Sequence, residues 1–251
     1  MKGTTGSCVR IVISSRARVF MHKGLKGLIN TTLSIFGYQI QRIYPDNPNP
    51  IHLWDEKTFN DLMRQIEQYT LVDKVRCFMI YQLAKQASML QGDAAEVGVY
   101  KGGTARLLAK TIETRGKTLH LFDTFSGMPP TNIDRDLHKE GDFHDTTIGM
   151  VKAYLGDCKN IRFYQGVFPS TAEGVKIITF CLAHIDVDIY QSVVNCCNFF
   201  YMRMQKGGIM IFDDYGFLTC PGAKVAVDEF FADKPEYPCY LPTGQCIVIR
   251  L

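Results

Sequence analysis

The sequence predicts an α/β protein with a mostly parallel sheet covered by helices on both faces. Three observations predict it. From residue 93 onward, short apolar runs alternate with stretches of helical periodicity. The apolar runs are nearly continuous, as in strands buried on both faces, and do not alternate like one-sided strands. Acidic residues close several of these runs, where the carboxyl ends of parallel strands build ligand sites.

The elements follow in order. DAAEVGVY opens the sheet and GTARLLAKTIETRG has helical spacing; TLHLFDTF and NIRFYQGVFP are the next strands. IITFCLAHIDVD is a strand that leads into the helical YQSVVNCCNFFYMRM. GGIMIFDDY is a strand that leads into PGAKVAVDEFF, and QCIVIRL closes the chain. Upstream, residues 55–90 carry helical periodicity. SGMPPTNIDRDLHKEGDFHD (126–145) breaks the rhythm directly after a strand end, and a polar loop of this length reads as a lid over a site.

Composition excludes several classes. With 251 residues, 46% hydrophobic and 21% charged, the chain is sized for one domain (51–251) with an N-terminal appendage (1–50). No apolar run is long enough to span a membrane, and no signal peptide is legible. The nine cysteines show no CxxC pair or zinc-finger spacing; they read as buried reduced thiols, and we expect a cytoplasmic protein. Residues 1–50 hold seven Lys or Arg against one acid, whereas the rest holds 21 against 24. The amphipathic stretch 21–43 suits packing on its own domain or on a second subunit, giving a homo-oligomer, and also suits peripheral membrane contact. YPDNPNP (44–50) reads as a linker. Nothing points to nucleic acid.

EVGVYKGGT (96–104) joins the first strand to a helix. Gly98 lets the backbone turn and approach a ligand, Gly102 and Gly103 bring the helix start near, and Thr104 is placed to cap it. The stretch is neither a Walker phosphate loop nor GxGxxG. Asp123 in LFDTF ends the second strand, placed either to accept from ribose hydroxyls or to cap a turn beginning at Thr124. Glu96, the glycine turn and Asp123 together suggest an adenosine ligand with a cationic far end and no phosphates, a description that S-adenosylmethionine fits.

HIDVDIY (184–190) and FDDY (212–215) put Asp186, Asp188, Asp213 and Asp214 at two strand ends. Grouped carboxylates repel unless a cation neutralises them, and oxygen-only ligands select a hard ion, Mg²⁺ or Ca²⁺. The plain alternative is that Asp188 and Asp214 cap the following helices. His184-x-Asp186 also suggests an iron site, but that needs a later histidine, and His184 is the last of six. His184 reads as a satisfied strand histidine.

These motifs, with GDFHDTT and CPGAKVAVDEFF, resemble the macrocin O-methyltransferase family over residues 55–251, in the family's order. The resemblance implies a Rossmann-like class I methyltransferase fold with a seven-stranded sheet. It implies S-adenosylmethionine-dependent methylation of a hydroxyl on a sugar or glycosylated metabolite, in natural product biosynthesis. Mg²⁺ ligands map to Asp186, Asp213 and Asp214, and the general base to Asp188, with His184 as the alternative. Cofactor contacts map to Glu96, Gly98, Asp123 and Ser126 along with the glycine-turn residues Gly102 and Thr104; Gln165 and Gly166 map beside the adenine. A catechol-type acceptor, or a non-catalytic glycan- or lipid-associated module on the same scaffold, are the alternatives. A nicotinamide oxidoreductase lacks its glycine motif.

Overall fold

The computed structural model describes residues 56–251. The basic segment and the amphipathic stretch 21–43 lie outside the described residues. Two helices come first, α1 (Lys57–Ile66) and α2 (Lys74–Ala87). Then β1 (Asp93–Val97), α3 (Gly103–Ile112), β2 (Leu119–Asp123), α4 (Ile148–Tyr154) and β3 (Ile161–Gln165) form one half of the sheet. The other half comprises β4 (Phe180–Ile185), α5 (Tyr190–Tyr201), β5 (Met204–Phe212), α6 (Pro221–Phe231), β6 (Cys239–Tyr240) and β7 (Cys246–Ile249).

The seven strands run in the order β3-β2-β1-β4-β5-β7-β6. The first five are parallel; β7 is antiparallel to both β5 and β6. The expected mostly parallel seven-stranded sheet is therefore present. The two-residue β6 has too little apolar length to be read from sequence. Consecutive strands lie on opposite sides of β1 and β4, so their adjoining carboxyl ends form the topological switch point.

Burial on both faces explains the unbroken apolar runs. Leu119, Leu121, Leu182, Ile209 and Ile211 belong to one core with α1–α3. Phe122, Phe180, Ala183, Ile185, Met210 and Phe212 belong to the second, with α5 and α6. Successive residues alternate between these cores, as the strand period of two requires. Each fully buried Leu, Ile or Phe contributes about 1.5–3 kcal/mol, so these cores fix the register of the strand ends.

Among the described residues no helix is long and apolar enough to cross a membrane. Their cysteines are all free, and all but Cys239 are buried.

Candidate active site

A cavity of about 320 Å³ opens at the switch point. Its walls come from the glycine turn, the ends of β2, β4 and β5, and the 126–145 loop. Gly98 has φ +87°, and a Cβ there would stand 1.7 Å from the Asp186 carbonyl oxygen. Only glycine lets β1 and β4 close up at this point. Its close approach is thus to β4 as well as to the cavity.

Asp123 holds the turn. Its Oδ2 accepts the Val99 and Tyr100 N–H groups at 2.6 and 3.0 Å, and its Oδ1 accepts the Phe125 N–H at 2.5 Å. Tyr100 and Phe125 have φ of 50° and 52°, conformations costly for non-glycine residues and sustained by these bonds. The turn-capping expectation is therefore met. The Thr124 hydroxyl also reaches its Oδ1 at 3.5 Å, and Asp123 lines the cavity.

The aspartates converge. Ile185 pairs with Phe212 in the parallel ladder, so Asp186 and Asp213 leave β4 and β5 side by side. Carboxylate oxygens of Asp186, Asp213 and Asp214 lie within 4.8 Å of one another. Neither Asp188 nor Asp214 caps a helix: the residue before α5 is Ile189, and before α6 it is Cys220. Instead the Asp214 Oδ2 accepts the Asp188 N–H at 2.9 Å, holding Asp188 at φ +58°.

The charges are unequally balanced. Asp213 is fully buried, yet three partners outweigh burial and keep its pKa below the ordinary value: His184, the Arg76 guanidinium, and Gln245 at 2.8 Å. Asp186 and Asp214 are pushed well above the carboxylate range, first by burial and then by neighbouring carboxylates. Among the described residues no hydrogen bond satisfies the Asp186 carboxylate. A hard cation at this cluster would supply the missing positive charge.

His184 Nδ1 lies 2.9 Å from Glu96 Oε1, and its Nε2 lies 3.4 Å from Asp213 Oδ1. Burial lowers its pKa, but these two carboxylates raise it well above the usual value. It is a satisfied strand histidine, as expected from sequence, and with both nitrogens engaged and no exposed surface it is unsuited to proton abstraction. Glu96 corrects a second expectation. It points into the core rather than the cavity, and its Oε2 has no partner among the described residues.

The remaining expected positions divide. Gly98, Thr104, Asp123 and Gly166 line the cavity; Gly102, Ser126 and Gln165 do not. Thr104 does not cap α3. Gly102, at φ +89°, precedes the helix, and Thr104 is buried in its first turn. Gly102 shapes the turn, while Ser126 and Gln165 are exposed.

Arg76, Gln245, His138 and Cys220 were not legible as site residues. Arg76 sits in an ordinary helical pattern. Asp73 caps α2 by accepting from Val75 and Arg76 N–H, and its other oxygen takes Arg76 Nε at 3.0 Å, aiming the guanidinium at Asp213. Met128, Pro129, His138 and Phe143 of the 126–145 loop line the cavity, as a cover would.

The family model for macrocin O-methyltransferase (TylF) matches residues 64–235. The chain belongs to the macrocin O-methyltransferase family. Over 155 residues this family member is 28% identical to demethyldecarbamoylnovobiocin O-methyltransferase of Streptomyces niveus, covering 56% of the chain and 58% of the relative. It is 28% identical over 157 residues to mycinamicin III 3''-O-methyltransferase of Micromonospora griseorubida, covering 55% and 60%. The matched stretch thus spans under two thirds of these relatives. Among solved structures, the O-methyltransferase NovP superposes with TM-score 0.63 at 25% identity, over 72% of this chain and 82% of that one. Calicheamicin methyltransferase CalS11, at 17% identity and TM-score 0.61, covers 83% and 94% and shares the fold. The fold of this macrocin O-methyltransferase family member is the Rossmann-like class I methyltransferase fold.

Proposed function

We propose that the chain is an S-adenosylmethionine-dependent, Mg²⁺-dependent O-methyltransferase acting on a hydroxyl of a sugar or glycosylated metabolite. The observation that carries this reading is one cavity bounded by both the Asp123-braced glycine turn and the aspartate cluster. The family and its relatives supply the reaction class. The sugar comes from a relative, 28% identical over 153 residues, whose name is that of a 4'-O-methyltransferase of a rhamnosyl-tetracenomycin.

Asp186, Asp213 and Asp214 would hold the divalent ion. When bound, it supplies Lewis acidity and a template for the acceptor's hydroxyls. The sulfonium donor, when bound, supplies an electrophilic methyl group. Arg76, His184 and Gln245 orient Asp213 and balance its charge. Asp188 faces the cavity two residues beyond Asp186 and takes the proton from the acceptor hydroxyl. Phe143 and Met128 of the covering loop limit water access. A vicinal diol, sugar or catechol, suits this arrangement; the rhamnosyl-tetracenomycin relative favours the sugar.

The test is calorimetric titration of S-adenosylmethionine and S-adenosylhomocysteine with and without Mg²⁺, followed by a screen of glycosylated acceptors. Binding of both nucleosides, with turnover lost on chelation, is the expected result. Absence of binding under either condition would return the scaffold to a non-catalytic role.

A further inference from the structure

Beside the oxygen-only cluster lies a second group with a different donor set. His138 Nε2 is 3.6 Å from Asp188 Oδ1; Cys220 Sγ is 3.3 Å from that oxygen and 3.7 Å from His138 Nε2. The three come from separate elements: the 126–145 loop, the turn after β4 and the residue preceding α6. We propose that His138, Asp188 and Cys220 form a metal site for a thiolate-seeking divalent ion of the zinc class.

The triangle has the right size. Zinc bond lengths of about 2.0–2.1 Å to nitrogen, 2.0–2.2 Å to oxygen and 2.3 Å to sulfur, at tetrahedral angles, separate ligand atoms by roughly 3.4–3.6 Å. The three atoms already stand close to these separations, as one face of a tetrahedron. All three residues line the cavity, so the fourth position opens toward it.

The surroundings are those of a metal ligand set. Asp142 Oδ2 lies 3.2 Å from His138 Nδ1 and also accepts the Lys139 N–H at 2.9 Å. A carboxylate behind the imidazole fixes the ring and directs Nε2 forward, as behind zinc-bound histidines. Cys220 is buried at the N-terminus of α6; burial, then the Asp214 and Asp188 carboxylates, push its thiol pKa up, so the bound ion itself must displace the proton. Ion entry releases the thiol proton to solvent, and the imidazole binds in its neutral form. Nitrogen and sulfur donors discriminate against Mg²⁺, so the two clusters select different ions.

One consequence rests on the methyltransferase reading. An ion held here occupies the Asp188 oxygen that would accept the acceptor's proton, and it ties the covering loop to the cavity wall. Zinc-class ions therefore inhibit turnover even when Mg²⁺ is saturating.

Binding is tested apart from activity. The full chain carries Cys8→Ser and Cys239→Ser, which remove the exposed Cys239 thiol and the Cys8 thiol outside the described residues. It is titrated with Co²⁺ in excess Mg²⁺. A sulfur-to-cobalt charge-transfer band is expected, displaced by Zn²⁺ and lost in Cys220→Ser. Asp142→Ala should weaken binding about 10–100-fold. Circular dichroism checks that each variant folds. No band, or a band that persists in Cys220→Ser, overturns the site and leaves these contacts as a hydrogen-bonded cluster. Failure of the methyltransferase reading would leave the band intact. Turnover unaffected by Zn²⁺ at saturating occupancy would overturn the inhibitory role.

Discussion

Arg76 and Asp213, 137 positions apart, form a buried ion pair that ties α2 to the end of β5. Its guanidinium also lies 4.5 Å from the centre of the Phe217 ring. Removing one partner of such a pair strands a buried charge, at a cost of about 3–5 kcal/mol. Arg76→Met should lose that much in urea unfolding. On the proposed metal reading, Mg²⁺ then raises the variant's melting temperature more than the wild type's. Equal responses to Mg²⁺ would show that Asp213 is no part of a cation site.

Asp188 and Asp186 should separate in their effects. Asp188→Asn should lower turnover by about 10²–10⁴-fold while S-adenosylmethionine affinity stays within twofold or so. Asp186→Ala should abolish turnover and its Mg²⁺ dependence, again with cofactor binding largely spared. Turnover by Asp186→Ala in the presence of chelator would exclude the metal mechanism. Near-normal turnover by Asp188→Asn would assign proton removal elsewhere, and the buried, doubly bonded His184 is poorly placed to take it over.

Two glycines with the same hand of backbone should respond differently. Gly116 has φ +65° with no atom within 4 Å of an added Cβ, so Gly116→Ala should cost about 1–2 kcal/mol from conformation alone. Gly98→Ala adds an overlap with the Asp186 carbonyl and should cost more than about 4 kcal/mol, or part β1 from β4. Denaturant midpoints of the two variants make the comparison. Equal losses would mean that the β1–β4 contact yields easily.

His120, buried on β2, has a lowered pKa because burial outweighs Asp93, which lies 3.2 Å from its Nε2. Its folded pKa lies below the unfolded value of about 6.5, so the unfolded state binds the proton more readily. Its contribution is fully present above that pH and is lost as pH falls through the window below it. The stability difference between wild type and His120→Gln should therefore shrink between about pH 7 and 5. A difference that grows on acidification would reverse the sign assigned to this histidine.

Much of this architecture was legible in the linear chain. Apolar continuity gave the parallel strands, because burial on both faces removes the polar alternation that would mark one-sided strands. The four aspartates declared themselves because charges are costly at the ends of core strands. The short β6 was not legible, and neither was the side to which Glu96 points. A strand-end carboxylate looks the same in sequence whether it faces a ligand or a buried histidine on the next strand.

By itself, then, the sequence determined which residue types stand at the strand ends: the glycine that β1 requires, Asp123, and the acids after β4 and β5. These follow from local rules of period, turn chemistry and burial. Only the tertiary structure decided their partners. It placed Arg76 and Gln245 on Asp213, turned Glu96 inward to His184, and brought His138 and Cys220 to Asp188. Those pairings join elements far apart in the chain, and their energy depends on packing and desolvation after the sheet has closed.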